Sequence, residues 1–347
     1  MGTYKGLQGY RVESLASDPG TISEVIGKLW YNSTSNVWKV GVEAAGAWSS
    51  GGTVGTGRNQ AGMGGTSKDS ALLFGGNSSY PFTFPAGTES YDGTSWTALA
   101  GQNTARAKGA SNGTVTAAFW AGGYTGSTGA GIANATTEIW DGTSWAVVAS
   151  LNNNTPSGVG AGGPASATAA LVVGGEPQPV CTVTEIWDGT SWSNSASLVT
   201  PMADGQGCGS STAALVMGGS PGPTPPGGRT KFTEEWNGTC WTELADSNTY
   251  RISGAGSGIT TAAIQMGGYD AFRVPADKNT KQVETWNGTS WTEVNDLAQS
   301  TTNSQGGSQS SASTIIAAGY SGPPGIYYNT SQEWEDPLIG AKTITTS

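Results

Sequence analysis

The sequence contains no histidine, only three cysteines and few charges: Lys and Arg total 15, Asp and Glu total 25, and charged residues make up 12% of its 347 positions. Without histidine, Ser-His-Asp triads, Cys-His pairs and histidine-ligated metal centres are excluded together. Cys181, Cys208 and Cys240 are odd in number and show no CxxC spacing. That argues against a disulfide framework or a zinc site, although one pair could still meet in space. No run approaches the length of a transmembrane helix. The opening MGTYKGLQGY lacks the apolar stretch of a secretory signal, and Gly6 stands where a myristoylation motif needs Ser or Thr. A net charge of −10 and a pI of about 4.5 leave no basic face for nucleic acid and disfavour anionic membranes. Neither nucleic-acid binding nor membrane insertion is expected, and no cofactor or metal is called for.

What the sequence has in excess is glycine, 55 residues, and tryptophan, 14 residues. Glycine weakens helix interiors, so an ordinary helical protein is excluded. No Gly-X-Y period suggests collagen. Fourteen tryptophans that need burying argue against disorder.

Internal repetition organises the chain. SYDGTSW, IWDGTSW, IWDGTSW, EWNGTCW and TWNGTSW place first aromatics at Tyr91, Trp140, Trp187, Trp236 and Trp286, with a degenerate copy at Trp334. The second tryptophans are Trp96, Trp145, Trp192, Trp241 and Trp291, preceded by an orphan at Trp48. Apolar strands ending in a small doublet recur at Gly75-Gly76, Gly122-Gly123, Gly174-Gly175, Gly218-Gly219, Gly267-Gly268 and Ala318-Gly319. Trp48 lacks a preceding strand and Trp334 lacks a following one. They complete each other if the chain ends meet in one sheet. The arithmetic predicts an all-β fold: a six-bladed β-propeller of four antiparallel strands per blade, closed where the strand at Trp48 joins the strands near Trp334. The propeller would span residues 40–336, preceded by an extended and hairpin segment over 1–39 and followed by a tail over 337–347.

Asp-Gly or Asn-Gly between the third and fourth strands is a strong hairpin signal. With Asp141-Gly142 as the tip, Trp140 opposes Thr143; with a four-residue loop, Trp140 pairs with Trp145. Either way the two indoles share a face and bury a large area between blades. Glycines of the first strands suit a crowded axis.

At these residues the chain resembles kelch-type β-propellers, with their double glycine and spaced aromatics. The tighter WDGTSW hairpin is more similar to the glycine-rich repeats of tailed, especially marine, bacteriophages, matched here by TARAKGASNGTVTAAFWAGG and EEWNGTCW. GKLWYNSTSNVWKV is similar to a short hairpin element near the ends of phage fibre and other virion proteins. That resemblance implies an attachment role for Gly27, Leu29, Trp30, Tyr31, Asn32 and Trp38; the other reading is an extra pair of strands capping the propeller. The family implies a virion protein displayed on the particle, tail- or fibre-associated and homo-oligomeric, made in the host cytoplasm and joined to other virion proteins through its N-terminal segment.

No catalytic residue is nominated, and the chain is not expected to be an enzyme. Glu89, Glu138, Glu185, Glu234 and Glu284, with Gln332 in the sixth copy, precede the first aromatic by two residues. They read as repeated structural acceptors rather than converging metal ligands. Arg58, Arg106 and Arg251 lie ten residues after a second tryptophan, where the other copies carry Thr155, Met202 and Thr301. They read as partners of neighbouring strands or of those glutamates. Glu176, Asp270 and Asp277 lie in loops without marking a pair for glycoside hydrolysis.

The loops after the doublets are long and differ in every repeat. They display Tyr80, Phe82, Phe84, Tyr124, Phe232, Tyr269, Phe272, Tyr327 and Tyr328, a composition suited to a host-surface glycan or protein, or to neighbouring subunits. The alternatives are a purely structural capsid or tail decoration protein and a polysaccharide-active enzyme.

Overall fold

The computed structural model describes residues 13–17, 28–43, 46–79, 83–126, 132–154, 156–163, 166–176, 182–221, 230–270, 278–306, 309–321, 325–336 and 339–343, and no α-helix occurs among them. The chain divides into two units, Trp48–Glu335 and Met1–Ala47 with Asp336–Ser347.

The strands begin with β1 (Glu13–Leu15), β2 (Leu29–Asn32) and β3 (Val37–Glu43), followed by β4 (Ala47–Ser50). A first repeat sheet then contains β5 (Gly62–Ser67), β6 (Ser70–Phe74), β7 (Thr88–Tyr91) and β8 (Trp96–Leu99). The second contains β9 (Ala110–Gly113), β10 (Ala118–Ala121), β13 (Thr137–Trp140) and β14 (Trp145–Val148), while β11 (Tyr124–Thr125) and β12 (Ile132–Ala133) form a separate two-stranded ribbon in the connection between β10 and β13. The third is β15 (Val159–Ala161), β16 (Ala170–Val173), β17 (Thr184–Trp187) and β18 (Trp192–Asn194). The fourth is β19 (Gln206–Ser210), β20 (Ala213–Met217), β21 (Thr233–Trp236) and β22 (Trp241–Glu243). The fifth is β23 (Ala255–Ile259), β24 (Ala262–Met266), β25 (Val283–Trp286) and β26 (Trp291–Val294). The sixth takes β27 (Gln305–Gly306), β28 (Ser313–Ala317) and β29 (Ser331–Glu335) from the end of the chain and β4 from its beginning. The orphan aromatics Trp48 and Trp334 therefore meet, with ring centroids 5.3 Å apart. β30 (Ile339–Thr343) lies in the stretch read from sequence as a tail, and it pairs antiparallel with β3.

The hairpin register differs from an Asp-Gly tip. Trp140 pairs with Trp145, and the same pairing joins Tyr91 to Trp96, Trp187 to Trp192, Trp236 to Trp241 and Trp286 to Trp291. The Asp141 N–H donates to Ser144 O (3.2 Å), which moves the tip to Gly142-Thr143. Gly142 has φ +97, so only the glycine needs a left-handed conformation. The Asp141 carboxylate instead accepts the N–H groups of Thr143 and Ser144, each at 2.8 Å. Asp serves this turn through its side-chain oxygen, a role Asn fills equally. Each paired indole then stacks on its neighbour at 5.4–5.5 Å in the second to fifth sheets.

Neighbouring sheets are joined by bonds that recur from repeat to repeat. The second tryptophan donates from Nε1 to the threonine opening the third strand of the preceding sheet: Trp145 to Thr88 (2.8 Å), Trp192 to Thr137 (3.0 Å), Trp241 to Thr184 (2.9 Å) and Trp291 to Thr233 (2.9 Å). Trp96 of the first sheet reaches Ser331 of the sixth (3.5 Å). In the fifth sheet Val283 replaces the threonine, and Trp48 donates to Asn295 O instead (2.9 Å).

The doublet makes a second set of links. The N–H of its second residue donates to the crossover entering the next sheet: Gly76 to Arg106 O, Gly175 to Met202 O, Gly219 to Arg251 O, Gly268 to Thr301 O and Gly319 to Arg58 O, all at 2.7–2.9 Å. The approach explains why the doublet is small. Gly174 has φ +68, and a Cβ there would stand 2.2 Å from Met202 O. The first strands also pack on one another, β5 on β9, β9 on β15, β15 on β19, β19 on β23, β23 on β27 and β27 on β5.

The repeated carboxylates fasten the crossovers. Glu138 accepts from Asn103 N (2.8 Å) and Thr104 N (3.0 Å), Glu185 from Asn152 N (2.7 Å) and Asn153 N (2.9 Å), and Glu234 from Val199 N and Thr200 N (both 2.9 Å). Gln332 does the same through Oε1 for Ala298 N (2.8 Å) and Gln299 N (3.3 Å). Where an arginine is present it pairs with its glutamate: Arg58 with Glu89, Arg106 with Glu138 (3.3 Å) and Arg251 with Glu284 (2.6 Å). Other guanidinium donors reach carbonyls such as Thr136 O (2.6 Å) and Gln282 O (2.9 Å), while Nε of Arg106 and of Arg251 is buried without a partner. Burial pushes Arg106 down to about 10, partly offset by Glu138, so it stays charged near neutrality. The glutamates and arginines are thus structural, as their regular spacing implies.

Candidate functional site

One residue of each crossover has positive φ despite carrying a side chain: Gln60, Lys108, Ser157, Asp204, Ser253 and Asn303, all between +52° and +61°. Each donates its N–H to the carbonyl of the one before: Lys108 to Gln60 (3.0 Å), Ser157 to Lys108 (2.8 Å), Asp204 to Ser157 (3.1 Å), Ser253 to Asp204 (2.8 Å) and Asn303 to Ser253 (2.7 Å). Gln60 N donates to Asn303 O (2.8 Å), and the circuit of bonds returns to its start. These six residues, with the first strands beneath them, line a cavity of about 90 Å³. That is well below the ~300 Å³ at which pockets for small-molecule ligands begin.

The residue after each doublet sits beside this circuit. Asn77, Tyr124, Ser220, Tyr269 and Tyr320 form antiparallel bridges with the residues preceding the left-handed positions, and the Glu176 N–H donates to Pro156 O (2.8 Å) in the same way. The tier is polar and aromatic: tyrosine in the second, fifth and sixth sheets, and Asn77, Glu176 and Ser220 in the others. Tyr124 donates its hydroxyl to Glu176. Burial and that carboxylate push the tyrosine's pKa upward, so it stays a donor. Lys108 reaches across to Asp204 (3.0 Å), one sheet beyond its neighbour. Burial disfavours its charge most strongly, but Asp204 and Glu176 together outweigh that and raise the ammonium's pKa. Asn77 Nδ2 donates to the Tyr327 hydroxyl (3.3 Å), and Tyr327 meets Tyr320 edge-on at 5.4 Å.

Of the loop aromatics singled out from sequence, Tyr80, Phe82 and Phe272 lie outside the described residues. Phe84, Tyr124, Phe232, Tyr269, Tyr327 and Tyr328 are half-buried rather than free-standing. Tyr124, Tyr269 and Tyr327 belong to or touch the tier around the circuit. Asn77, Lys108, Asp204 and Tyr320 escaped the sequence reading, although their position was signalled for two of them by the doublet they follow. Asp277 and Cys181 lie outside the described residues. Cys208 and Cys240 are free thiols, and burial pushes Cys208 up to about 12. Among the described residues no three His, Cys, Asp or Glu side chains are placed to hold a metal ion.

The terminal unit presents a different kind of surface. Its sheet runs β1-β2-β3-β30, with β1 parallel to β2. β2 and β3 form the hairpin expected around Asn32–Asn36, with Leu29 opposite Val40 and Tyr31 opposite Trp38. Asn32 Oδ1 accepts Thr34 N (3.1 Å) and Ser35 N (3.0 Å), and Asn36 takes φ +55 to close the turn. Trp30 and Asn32 are buried. Leu29 (37% exposed) and Trp38 (44% exposed) stand on the opposite face with Tyr31, whose ring meets Trp38 edge-on at 5.4 Å. Gly27 lies outside the described residues.

No protein-family model and no curated protein matches the chain.

Proposed function

We propose that the protein is a six-bladed β-propeller that serves a tailed bacteriophage as a non-enzymatic virion component, displayed on the particle and binding through its variable-loop face. The six four-stranded sheets support the blade count. The bond circuit from Gln60 to Asn303 and back, together with the Trp96–Ser331 and Trp48–Trp334 contacts, supports closure. The observation that carries the functional reading is the contrast between a scaffold fixed by repeated bonds and one face that differs in every repeat. That face offers tyrosines, a carboxylate, amides and hydroxyls over an opening too small for a buried ligand. Such a surface suits an extended polar ligand, a host glycan or a protein loop. The exposed Leu29 and Trp38 of the terminal sheet, with the half-buried Tyr31 between them, support its role in attachment to other virion proteins.

The test has two parts. Antibody raised against the protein and visualised on particles by electron microscopy should label the tail or capsid surface. Full-length protein should bind the surface polysaccharide of susceptible cells, and Tyr124→Ala with Tyr269→Ala should weaken that binding by tenfold or more. Unlabelled particles would overturn the virion assignment. Labelled particles with no binding by the protein would favour decoration, and shortening of the polysaccharide would establish an enzyme.

A further inference from the structure

The chain contains three Asn-Gly pairs, Asn112-Gly113, Asn237-Gly238 and Asn287-Gly288. In such a pair the next backbone nitrogen can attack the Asn side chain, because glycine adds no side chain to obstruct the approach. Sequence alone ranks the three together; the fold separates them.

Asn237 and Asn287 sit at the hairpin turns of the fourth and fifth sheets, and both turns are exposed throughout. Their side-chain oxygens accept Thr239 N (2.9 Å) and Cys240 N (3.0 Å), and Thr289 N and Ser290 N (both 2.9 Å). These two donors per carbonyl draw electron density from Cγ. Gly238 and Gly288 have φ +92 and project from the sheet, and the nearest atom to a Cβ at either is 3.3–3.4 Å away. Asn112 is held otherwise. It is half-buried within β9, Gly113 pairs with Ala118 in the ladder, and a Cβ on Gly113 would stand 2.3 Å from Ala117 O. Asn112 Oδ1 accepts the Gly113 N–H (2.7 Å), and with the backbone fixed in the ladder that N–H stays aimed at the side-chain oxygen, which keeps the nitrogen lone pair off Cγ.

We propose that Asn237 and Asn287 are modification sites, deamidating spontaneously in the folded protein while Asn112 does not. In the first step the glycine nitrogen bonds to Asn Cγ and gives up its proton to solvent base. The Nδ2 group leaves as ammonia, and a succinimide remains. Water then opens either C–N bond of the imide, giving aspartate or isoaspartate. The repeats show which product the fold accepts. Asp92, Asp141 and Asp188 occupy the same place in the first three sheets and accept the same pair of N–H groups at 2.8–2.9 Å. Aspartate at 237 and 287 restores that arrangement and makes five turns chemically alike. It adds two negative charges to a chain whose net charge is −10. Isoaspartate inserts a methylene into the backbone between the paired tryptophans and strains their register.

The experiment is peptide mapping by mass spectrometry of the full-length protein held folded at mildly alkaline pH, beside a denatured sample under the same conditions. In the folded protein, the peptides containing Asn237 and Asn287 should exchange an amide NH2 for OH in most molecules, while the peptide containing Asn112 changes at least tenfold more slowly. The denatured chain should convert all three. Folded protein in which 237 and 287 stay intact while the denatured chain converts would overturn the proposal, as would equal conversion of all three in the folded state. The variant N237D/N287D should melt with the unmodified protein; a clear loss of stability would contradict the assignment of aspartate as the accommodated product.

Discussion

The repeat unit and the terminal sheet solve the same problem, four-stranded sheets in one short chain, by opposite means. In the repeat unit each sheet is held by its neighbours. The indole of one sheet donates to the threonine of the last, the doublet amide to the next crossover, and the left-handed residues to one another. In the terminal sheet the support is within the sheet: β2 and β3 are adjacent in sequence, and β30 arrives from the other end of the chain to pair with β3. The first arrangement buries its aromatics, and Trp140 and Trp236 are fully inaccessible. The second leaves Leu29 and Trp38 partly in solvent. Repetition favours burial because the indoles of one repeat sheet pack against the next.

The largest effects should come from cutting what one sheet lends another. Trp236→Ala removes a fully buried indole and should cost about 3–5 kcal/mol in urea unfolding. Glu284→Gln should cost about as much, because Arg251 is buried beside it and would lose its counter-charge. Glu234→Gln is the sharper comparison. Its crossover carries Met202 where Arg251 would be, and the sixth sheet already uses Gln332 at this position. It should cost no more than about 1 kcal/mol. A difference of similar size in both variants would mean that the carboxylate, rather than the arginine, sets the energetics.

Smaller effects separate the two units. Thr184→Val deprives Trp241 Nε1 of its acceptor and should lower stability by about 1 kcal/mol. Trp38→Ala, on the exposed face of the terminal sheet, should change unfolding by about 0.5 kcal/mol or less, and under the proposed virion role it should reduce particle incorporation. The smallest effect is on pH. Backbone donors from Ser144 and Thr143, with the Thr143 hydroxyl, hold Asp141 at about 2, and Asp92 and Asp188 are lowered by the same turn geometry. A carboxylate lowered on folding stabilises the fold above its unfolded pKa and loses that contribution as pH falls through the folded value. Melting temperature should therefore fall between pH 4 and pH 2, and should fall less in the triple variant D92N/D141N/D188N.

Much of the repeat architecture is legible in the sequence because its determinants are chemically constant. Indoles, doublets and glutamates recur, and the Trp48 and Trp334 orphans point to a shared sheet. The turn register is less legible, since Asp-Gly and Gly-Thr both suit a two-residue tip and only the acceptor role of Asp141 decides between them. The left-handed circuit is hidden for a different reason. Gln60, Lys108, Ser157, Asp204, Ser253 and Asn303 share a backbone conformation imposed by their neighbours, and beyond being polar their side chains follow no single motif. The tyrosine tier is half visible: the loops announce the aromatics, but which of them gather at the opening depends on the bridges beside the circuit. β30 is illegible because a strand of five residues gains its identity from β3, far away in the chain.

Closure is the claim on which the rest depends, and hydrogen exchange at the six left-handed amides tests it most directly. If the sheets close, the Gln60 amide, which spans the two ends of the repeat series to reach Asn303 O, will be protected to the same degree as the Asp204 amide within it. A Gln60 amide that exchanges at the rate of an exposed loop, while Asp204 and Ser253 stay protected, would contradict closure.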